Sequence, residues 1–198
     1  MCCGPCSIYP LKRILKGRYE VHGLFYNPNI HPRKEFMKRL EATRKLASLM
    51  ELPVIFYEDY EPESYFTGLA GTDKKSLPPE VRCTHCYRLR LQKTAEAAKA
   101  GGFEYFSSSL LYSTFQNHEQ IIEEAKEAAQ RSGVKFFYED FREGWQAGIE
   151  ASKEMELFRQ NYCGCIFSKG ERGLLSPRNK KEVKDRIKAE RKKAKLPR

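Results

Sequence analysis

The cysteines of this chain fall into three tight groups instead of being scattered through its apolar segments. The groups are Cys2, Cys3 and Cys6, then Cys83 and Cys86, then Cys163 and Cys165. Thiolates a few residues apart can converge on one metal ion or cluster, because a short turn directs both sulfurs to the same side, and Gly4, Pro5 and Gly164 permit such turns. The pattern therefore predicts a metal-binding or redox-active site. The competing interpretation is that these thiols are small buried hydrophobic groups.

The number of thiols indicates two centres. Four thiolates are the ligand set of a cubane iron–sulfur cluster and also of a structural zinc ion, and spacing alone does not separate the two. Three further cysteines beside a filled site indicate a second centre. Cys163 and Cys165 would close a strained, reactive ring on oxidation, so they are a candidate redox pair. Cys83 and Cys86 are predicted in the first turn of a helix, where the helix dipole favours thiolates.

Polar side chains follow two of the predicted strands. Asn27, Asn29 and His31 lie in a proline-containing loop after the first strand, and Asp140 and Arg142 follow a later one. Ligands of open α/β sheets bind beyond the carboxyl ends of the strands. The first three are therefore candidate substrate-binding residues, Asp140 is a candidate catalytic residue, and Arg142 is a candidate substrate-binding partner of Asp140. An ordinary ion pair would explain the last two equally well.

The charge of the chain favours a polyanionic partner. Its 198 residues carry a net charge of +10, and the pI is about 9.2. A basic surface of this kind suits RNA, although the Lys- and Arg-rich segment 179–198 is also explained by a solvated, frayed helix. The clustered cysteines do not resemble the disulfide framework of a secreted protein, and no apolar run approaches the roughly 18 residues of a membrane helix. We expect a cytoplasmic protein with no membrane partner.

The elements that must position these residues alternate along the chain. Strands are predicted over residues 19–26, 52–57, 103–109 and 134–138, and helices over 8–16, 33–51, 117–131 and 147–158, with another beginning at Cys83. This alternation predicts an α/β fold, a Rossmann-like (HUP-like) three-layer sandwich with a mostly parallel sheet. The expected domains are a catalytic unit over 1–168 and a basic C-terminal helix or tail over 169–198. Such folds normally begin with a strand, so we expect the first strand to be missing or truncated, most simply by a start codon assigned too late.

Taken together, these motifs make the chain similar to the cobalamin-independent epoxyqueuosine reductases, the QueH family. The resemblance is carried in order by residues 2–7, 26–32, 82–86, 107–111, 140–142, 152–154 and 159–165. It spans residues 2 to about 168 and leaves the basic tail outside.

The resemblance implies an activity and a ligand set. The activity is two-electron removal of the epoxide oxygen of epoxyqueuosine at the tRNA wobble position, the last step of queuosine biosynthesis, in tRNAs with GUN anticodons and with an unidentified electron donor. The resemblance implies a [4Fe–4S] cluster on Cys2, Cys3, Cys83 and Cys86. It also implies a redox-active disulfide between Cys163 and Cys165, which with Cys6 could instead hold an adjacent mononuclear iron.

Two other functions fit some of these features. An iron–sulfur tRNA thiolase would need ATP, but the sequence contains neither a G-x-x-x-x-G-K-[ST] nor a G-x-G-x-x-G phosphate-binding loop. A zinc-stabilised RNA-binding protein would contain zinc and no iron. Metal analysis therefore separates the second alternative from an iron–sulfur enzyme.

Overall fold

The fold is α/β in the part of the chain that the computed structural model describes, residues 1–69 and 77–171. Helices alternate with short strands, as the hydrophobic periodicity predicts. The helices are α1 (Gly4–Lys16), α2 (Arg33–Leu49), α3 (Glu63–Thr67), α4 (Pro79–Ala100), α5 (His118–Ser132), α6 (Trp145–Glu154) and α7 (Ile166–Glu171), and the strands are β1 (Gly23–Phe25), β2 (Val54–Phe56), β3 (Tyr105–Phe106) and β4 (Lys135–Phe136). Short 3-10 helices cover Ser109–Tyr112 and Arg142–Gly144.

The described strands form two separate parallel pairs instead of one sheet. β1 pairs with β2, with Leu24 opposite Ile55, and β3 pairs with β4, with Phe106 opposite Phe136. Strands β1 and β3 both line a cavity of about 510 Å³ that lies between the pairs. The α/β class and the parallel pairing are thus as predicted. The described strands do not form the single sheet predicted for a Rossmann-like sandwich, because β1 and β3 are not hydrogen-bonded to each other.

Helices supply most of the core. Helix α4 packs against α5, and α1 packs against both α2 and α6. The largest apolar cluster includes Leu91 of α4, Ile121 of α5, and Phe141, which precedes α6. Burying such side chains contributes about 1.5–3 kcal/mol each. This packing fixes the N-terminal ends of α1 and α4, where five of the seven cysteines lie.

Helix ends were predicted accurately from the sequence where local capping residues mark them. Helix α5 begins after Asn117, whose side-chain oxygen accepts a hydrogen bond from the Gln120 amide at 3.1 Å, and ends at Gly133 with φ of 78°. Both are strong local signals. The predicted tail beyond Glu171 lies outside the described residues. Within them, no helix combines the length and the apolar character needed to cross a membrane.

Candidate metal centre

The first cysteine group lies at the beginning of α1. We predicted a loop here, but the helix begins at Gly4, with Cys3 as its N-cap. The Cys3 sulfur accepts a hydrogen bond from the Cys6 amide at 3.4 Å and lies 3.9 Å from the Cys2 sulfur. All three sulfurs lie within 4.8 Å of one another, which is a metal-binding arrangement. Gly4 permits it, since a Cβ there would be 2.5 Å from the Ala42 carbonyl oxygen of α2.

Burial and mutual hydrogen bonding give these three thiols different acidities. Hydrogen bonds from Cys3 and Cys6 lower the pKa of Cys2 well below its usual value. Burial raises the pKa of Cys3 to about 12, and hydrogen bonds to Cys2 and Cys3 raise the pKa of Cys6. Cys2 is therefore the most acidic of the three thiols in the metal-free group. A bound cation would replace the thiol protons, as thiolate ligation requires.

Gln160 reaches the same group from the other end of the chain. Its side-chain nitrogen donates to the Cys3 sulfur at 2.9 Å and to the Cys6 sulfur at 3.0 Å. Its side-chain oxygen is buried and has no hydrogen-bond partner within the described residues. An amide that donates to two sulfurs orients them and stabilises negative charge on them. Nothing in the sequence pairs Gln160 with residues more than 150 positions away, so the sequence analysis missed this role.

The second group lies in α4, but beyond the first turn in which it was predicted, because the helix begins at Pro79. Cys86 is buried, and Cys83 is partly buried. Burial raises the pKa of Cys86 to about 12 and also raises the pKa of Cys83. The expectation that the helix dipole would favour thiolates here was therefore wrong for the metal-free protein, because desolvation outweighs the dipole.

A buried arginine lies one helical turn beyond Cys86. Arg90 is 8% exposed, and its Nε has no hydrogen-bond partner among the described residues. Its charge lowers the pKa of Cys2 and opposes the effect of burial on the pKa of Cys86. The same cation is thus close to a thiol of the first group and to a thiol of the second. A buried cation of this kind offsets the charge of several thiolates.

The third group is a tight loop held by its backbone. Gly164 has φ of 112°, which favours glycine, and its carbonyl accepts from the His31 amide at 2.9 Å. The buried Arg39 donates to the Cys163 carbonyl at 3.0 Å and to the Tyr162 carbonyl at 2.9 Å. These contacts fix the direction of both sulfurs.

The two thiols of this loop are free and differ in acidity. A hydrogen bond from Cys165 lowers the pKa of Cys163 to about 6, and burial raises the pKa of Cys165. The Tyr65 hydroxyl donates to the Cys165 sulfur at 3.4 Å. At neutral pH the pair is therefore one thiolate and one thiol, which is the state that begins thiol–disulfide chemistry.

One cavity of about 620 Å³ brings the three groups together. Cys6, Cys83, Cys163 and Cys165 all line it, and Gln160 lies beside them. Cys86 packs in the same apolar cluster as Cys165, behind the cavity wall. Cysteines up to 159 positions apart in the chain therefore surround one space. This set of buried thiols, one buried cation and one amide donor fits a thiolate-ligated iron–sulfur cluster.

The other predicted site residues lie elsewhere. Asn27, Asn29 and His31 are buried, at 2%, 3% and 6% exposure, and they do not line the thiol cavity. The loop that contains them instead supports the third cysteine group, since the Tyr162 hydroxyl donates to the His31 carbonyl at 2.7 Å. Their binding of substrate stays a prediction.

Asp140 and Arg142 form an exposed ion pair away from the cavity lining. The Arg142 Nε lies 2.8 Å from a carboxylate oxygen of Asp140. This hydrogen bonding lowers the pKa of Asp140 to about 2, so the side chain is ionised at neutral pH. The catalytic role of Asp140 and the substrate-binding role of Arg142 also stay predictions.

Comparison with known proteins agrees with this geometry. The family model described as "Epoxyqueuosine reductase QueH" matches residues 1–171. The epoxyqueuosine reductase QueH of Dehalococcoides mccartyi is 37% identical over 171 residues, which cover 86% of this chain and 91% of that protein. The epoxyqueuosine reductase QueH of Thermotoga maritima is 37% identical over 177 residues, covering 87% and 89%. That of Acinetobacter baylyi is 35% identical over 172 residues, covering 84% and 77%. The chain thus belongs to the epoxyqueuosine reductase QueH family.

Proposed function

We propose that this protein reduces epoxyqueuosine in tRNA to queuosine. The reaction takes two electrons and two protons, breaks both C–O bonds of the epoxide, and releases the oxygen as water. The observation that carries the proposal is the convergence of thiols from three distant groups on one cavity, in a member of this family. The substrate would be a tRNA with a GUN anticodon, and a reductant outside this chain would supply the electrons. The net charge of +10 supports an RNA substrate.

A [4Fe–4S] cluster on Cys2, Cys3, Cys83 and Cys86 is the proposed resident cofactor. Buried Arg90, whose charge acts on both Cys2 and Cys86, supports this ligand set. When bound, such a cluster supplies single electrons, and an adjacent iron on Cys6, Cys163 and Cys165 would supply a Lewis acid. Cys6 also lies within 4.8 Å of Cys2 and Cys3, so a Cys6→Ser variant belongs in any test of the ligand set.

The residues of this chain supply the remaining chemistry. A cavity of about 620 Å³ is large enough to enclose one modified nucleoside and exclude water around it. Gln160 holds the Cys3 and Cys6 sulfurs in place. As the alternative to holding an adjacent iron, the Cys163–Cys165 pair, as one thiolate and one thiol, can give up two electrons and one proton as it closes a disulfide. The second proton of the reaction would then enter from solvent.

The fold and the cellular location of the protein are part of the same proposal. The two parallel strand pairs and the helices that alternate with them support a Rossmann-like fold, in which each pair would be one part of an interrupted sheet. Cysteines that cluster at one cavity are typical of a reducing compartment, which for a tRNA-modifying enzyme is the cytoplasm.

The direct test is conversion of substrate. Metal-loaded protein under anaerobic conditions, with a strong chemical reductant, is incubated with epoxyqueuosine-containing tRNA, and the nucleosides are analysed by mass spectrometry. We expect a product one oxygen atom lighter, and we expect Cys163→Ser to form none. Gln146→Leu, which changes an exposed glutamine of α6, is the matched control and should retain full conversion. Unchanged epoxyqueuosine with iron-loaded wild type would refute the proposal.

A further inference from the structure

The cavity that contains the thiols has an aromatic wall. Tyr112, Phe115 and Trp145 line it. The rings of Tyr112 and Trp145 are stacked with their centroids 5.1 Å apart, and the ring of Phe115 meets that of Trp145 edge-on at 5.5 Å and 77°. Tyr112 is 3% exposed, whereas Phe115 is 69% exposed. The wall therefore extends from the core to the solvent.

Contacts with Tyr112 fix the position of Trp145. The Tyr112 hydroxyl donates to the Trp145 carbonyl at 2.8 Å. Gly148, in the next turn of α6, leaves room for that hydroxyl, because a Cβ at this position would collide with it. A rigid aromatic surface loses little conformational entropy when a ligand packs on it.

The position of Phe115 is not explained by core packing. A side chain that is 69% exposed removes little apolar area from water and therefore contributes little to stability. Isolated exposed apolar residues are common, but Phe115 contacts Trp145 and lines the same cavity as Cys6 and Cys83. Its location at a reactive cavity indicates a binding role.

One exposed cation beside this wall indicates the chemistry of the ligand. Arg82 and Arg159 line the same cavity together with Glu80 and Glu171. Arg82 is buried and ion-paired with Glu171, whereas Arg159 is exposed and has no ion pair with any of the described residues. Aromatic faces combined with arginine are the means by which proteins hold single-stranded nucleotides, since every base presents a face for stacking and every phosphate a charge. The bases of an anticodon loop are unpaired and available for stacking.

We propose that Phe115 and Trp145 form a stacking platform for one nucleobase of the anticodon loop, the base next to the modified nucleotide. This inference rests on the proposed function, which puts the modified nucleotide itself in the cavity beside the thiols. The platform would hold the neighbouring base at the cavity mouth while Arg159 contacts the backbone phosphate. Phe115, Trp145 and Arg159 would thus position the substrate without taking part in the redox chemistry.

Binding of an RNA probe tests the platform separately from the reaction. The probe is a labelled anticodon stem-loop with unmodified guanine at the wobble position, titrated with full-length, metal-loaded protein. We expect Phe115→Ala to weaken binding by about tenfold, the size of one base–aromatic contact, and Phe115→Trp to restore it. The control is Tyr19→Ala, which removes an aromatic side chain that is 49% exposed and lines the other cavity, and its Kd should match that of wild type. An equal Kd for Phe115→Ala and wild type would overturn the proposal.

Abasic probes identify the stacked base. An abasic site is introduced on the 5′ or the 3′ side of the wobble nucleotide, one per probe. We expect one of the two abasic probes to bind wild type about tenfold more weakly than the intact probe does. For Phe115→Ala, we expect that same abasic probe and the intact probe to bind equally well. Losses that are the same in both proteins would contradict the stacking contact. These outcomes are separate from those of the reductase assay. If wild type binds the RNA probe but leaves epoxyqueuosine unchanged, only the proposed function is refuted. If wild type reduces epoxyqueuosine but Phe115→Ala binds the RNA probe as tightly as wild type does, only the platform is refuted.

Discussion

Gln160 is the side chain that joins the last cysteine-bearing segment to the first. Its amide donates to two sulfurs of the first group and, within the described part of the chain, to no other partner. We predict that Gln160→Leu lowers the reduction potential of the proposed cluster, because hydrogen bonds to sulfur stabilise the more negative reduced state. A redox titration followed by electron paramagnetic resonance measures this change. Gln146→Leu is the control, and equal potentials in the two variants would contradict the role of Gln160.

The acidity of Cys163 gives a prediction about pH. Its pKa is lowered to about 6, whereas burial raises the pKa of Cys83. Since only the thiolate alkylates, we expect Cys163 of the metal-free, reduced protein to react with iodoacetamide with a midpoint near pH 6, and Cys83 to react only at alkaline pH. Peptide mass spectrometry follows both residues in one sample. Cys165→Ala, which removes the hydrogen-bond donor, should move the Cys163 midpoint upward, and identical profiles for Cys163 and Cys83 would show that the assignment is wrong.

At the scale of single residues, the sequence predicted that the three cysteine groups meet, but not what surrounds them. The short spacing within each cysteine group is a local signal, and the structure brings the groups to one cavity. Arg39 and Gln160 carry no such signal, because their contacts are made across 123 to 157 positions and depend on how α1, α2 and the third group pack. Desolvation, which reversed the expected acidity of Cys86, also depends on that packing.

At the scale of elements, helices were predicted more accurately than strands. Helix α5 agrees with its predicted range to within one residue at each end, since Asn117 and Gly133 are local caps. Strand β3 was predicted over seven residues and covers two, because the length of a strand is set by its hydrogen-bonded neighbour and not by its own side chains. The α1 prediction began too late, since the cap is a cysteine, which is not a usual N-cap residue.

The loop of the third cysteine group gives a prediction about stability. Gly164 has φ of 112°, and a Cβ there would be 2.9 Å from the Arg39 guanidinium. We expect Gly164→Ala to lower the free energy of unfolding by about 2 kcal/mol or more. The matched control is Gly133→Ala, because φ is 78° there and no atom lies within 4 Å of the new Cβ, so only the backbone term of about 1 kcal/mol remains. Urea unfolding measures both, and an equal loss in the two variants would contradict the close packing of this loop.

At the scale of the whole molecule, the fold brings distant parts of the chain to one space. The N-terminal ends of α1 and α4 and the loop before α7 meet at the cavity of about 620 Å³, so no single segment holds the site. The α/β class followed from the alternating pattern of the sequence. The division into two parallel pairs did not, because strand pairing depends on which edges meet in space.

The proposed function requires these separate groups to build a single iron-dependent reducing centre. The most direct measurement is anaerobic iron and sulfide analysis together with the visible absorbance of wild type, Cys3→Ser and Cys83→Ser. Their thiols belong to groups about 80 positions apart in the chain. We predict a brown [4Fe–4S] chromophore in wild type and its loss in both variants. Zinc in place of iron in wild type, or a full chromophore in either variant, would contradict it.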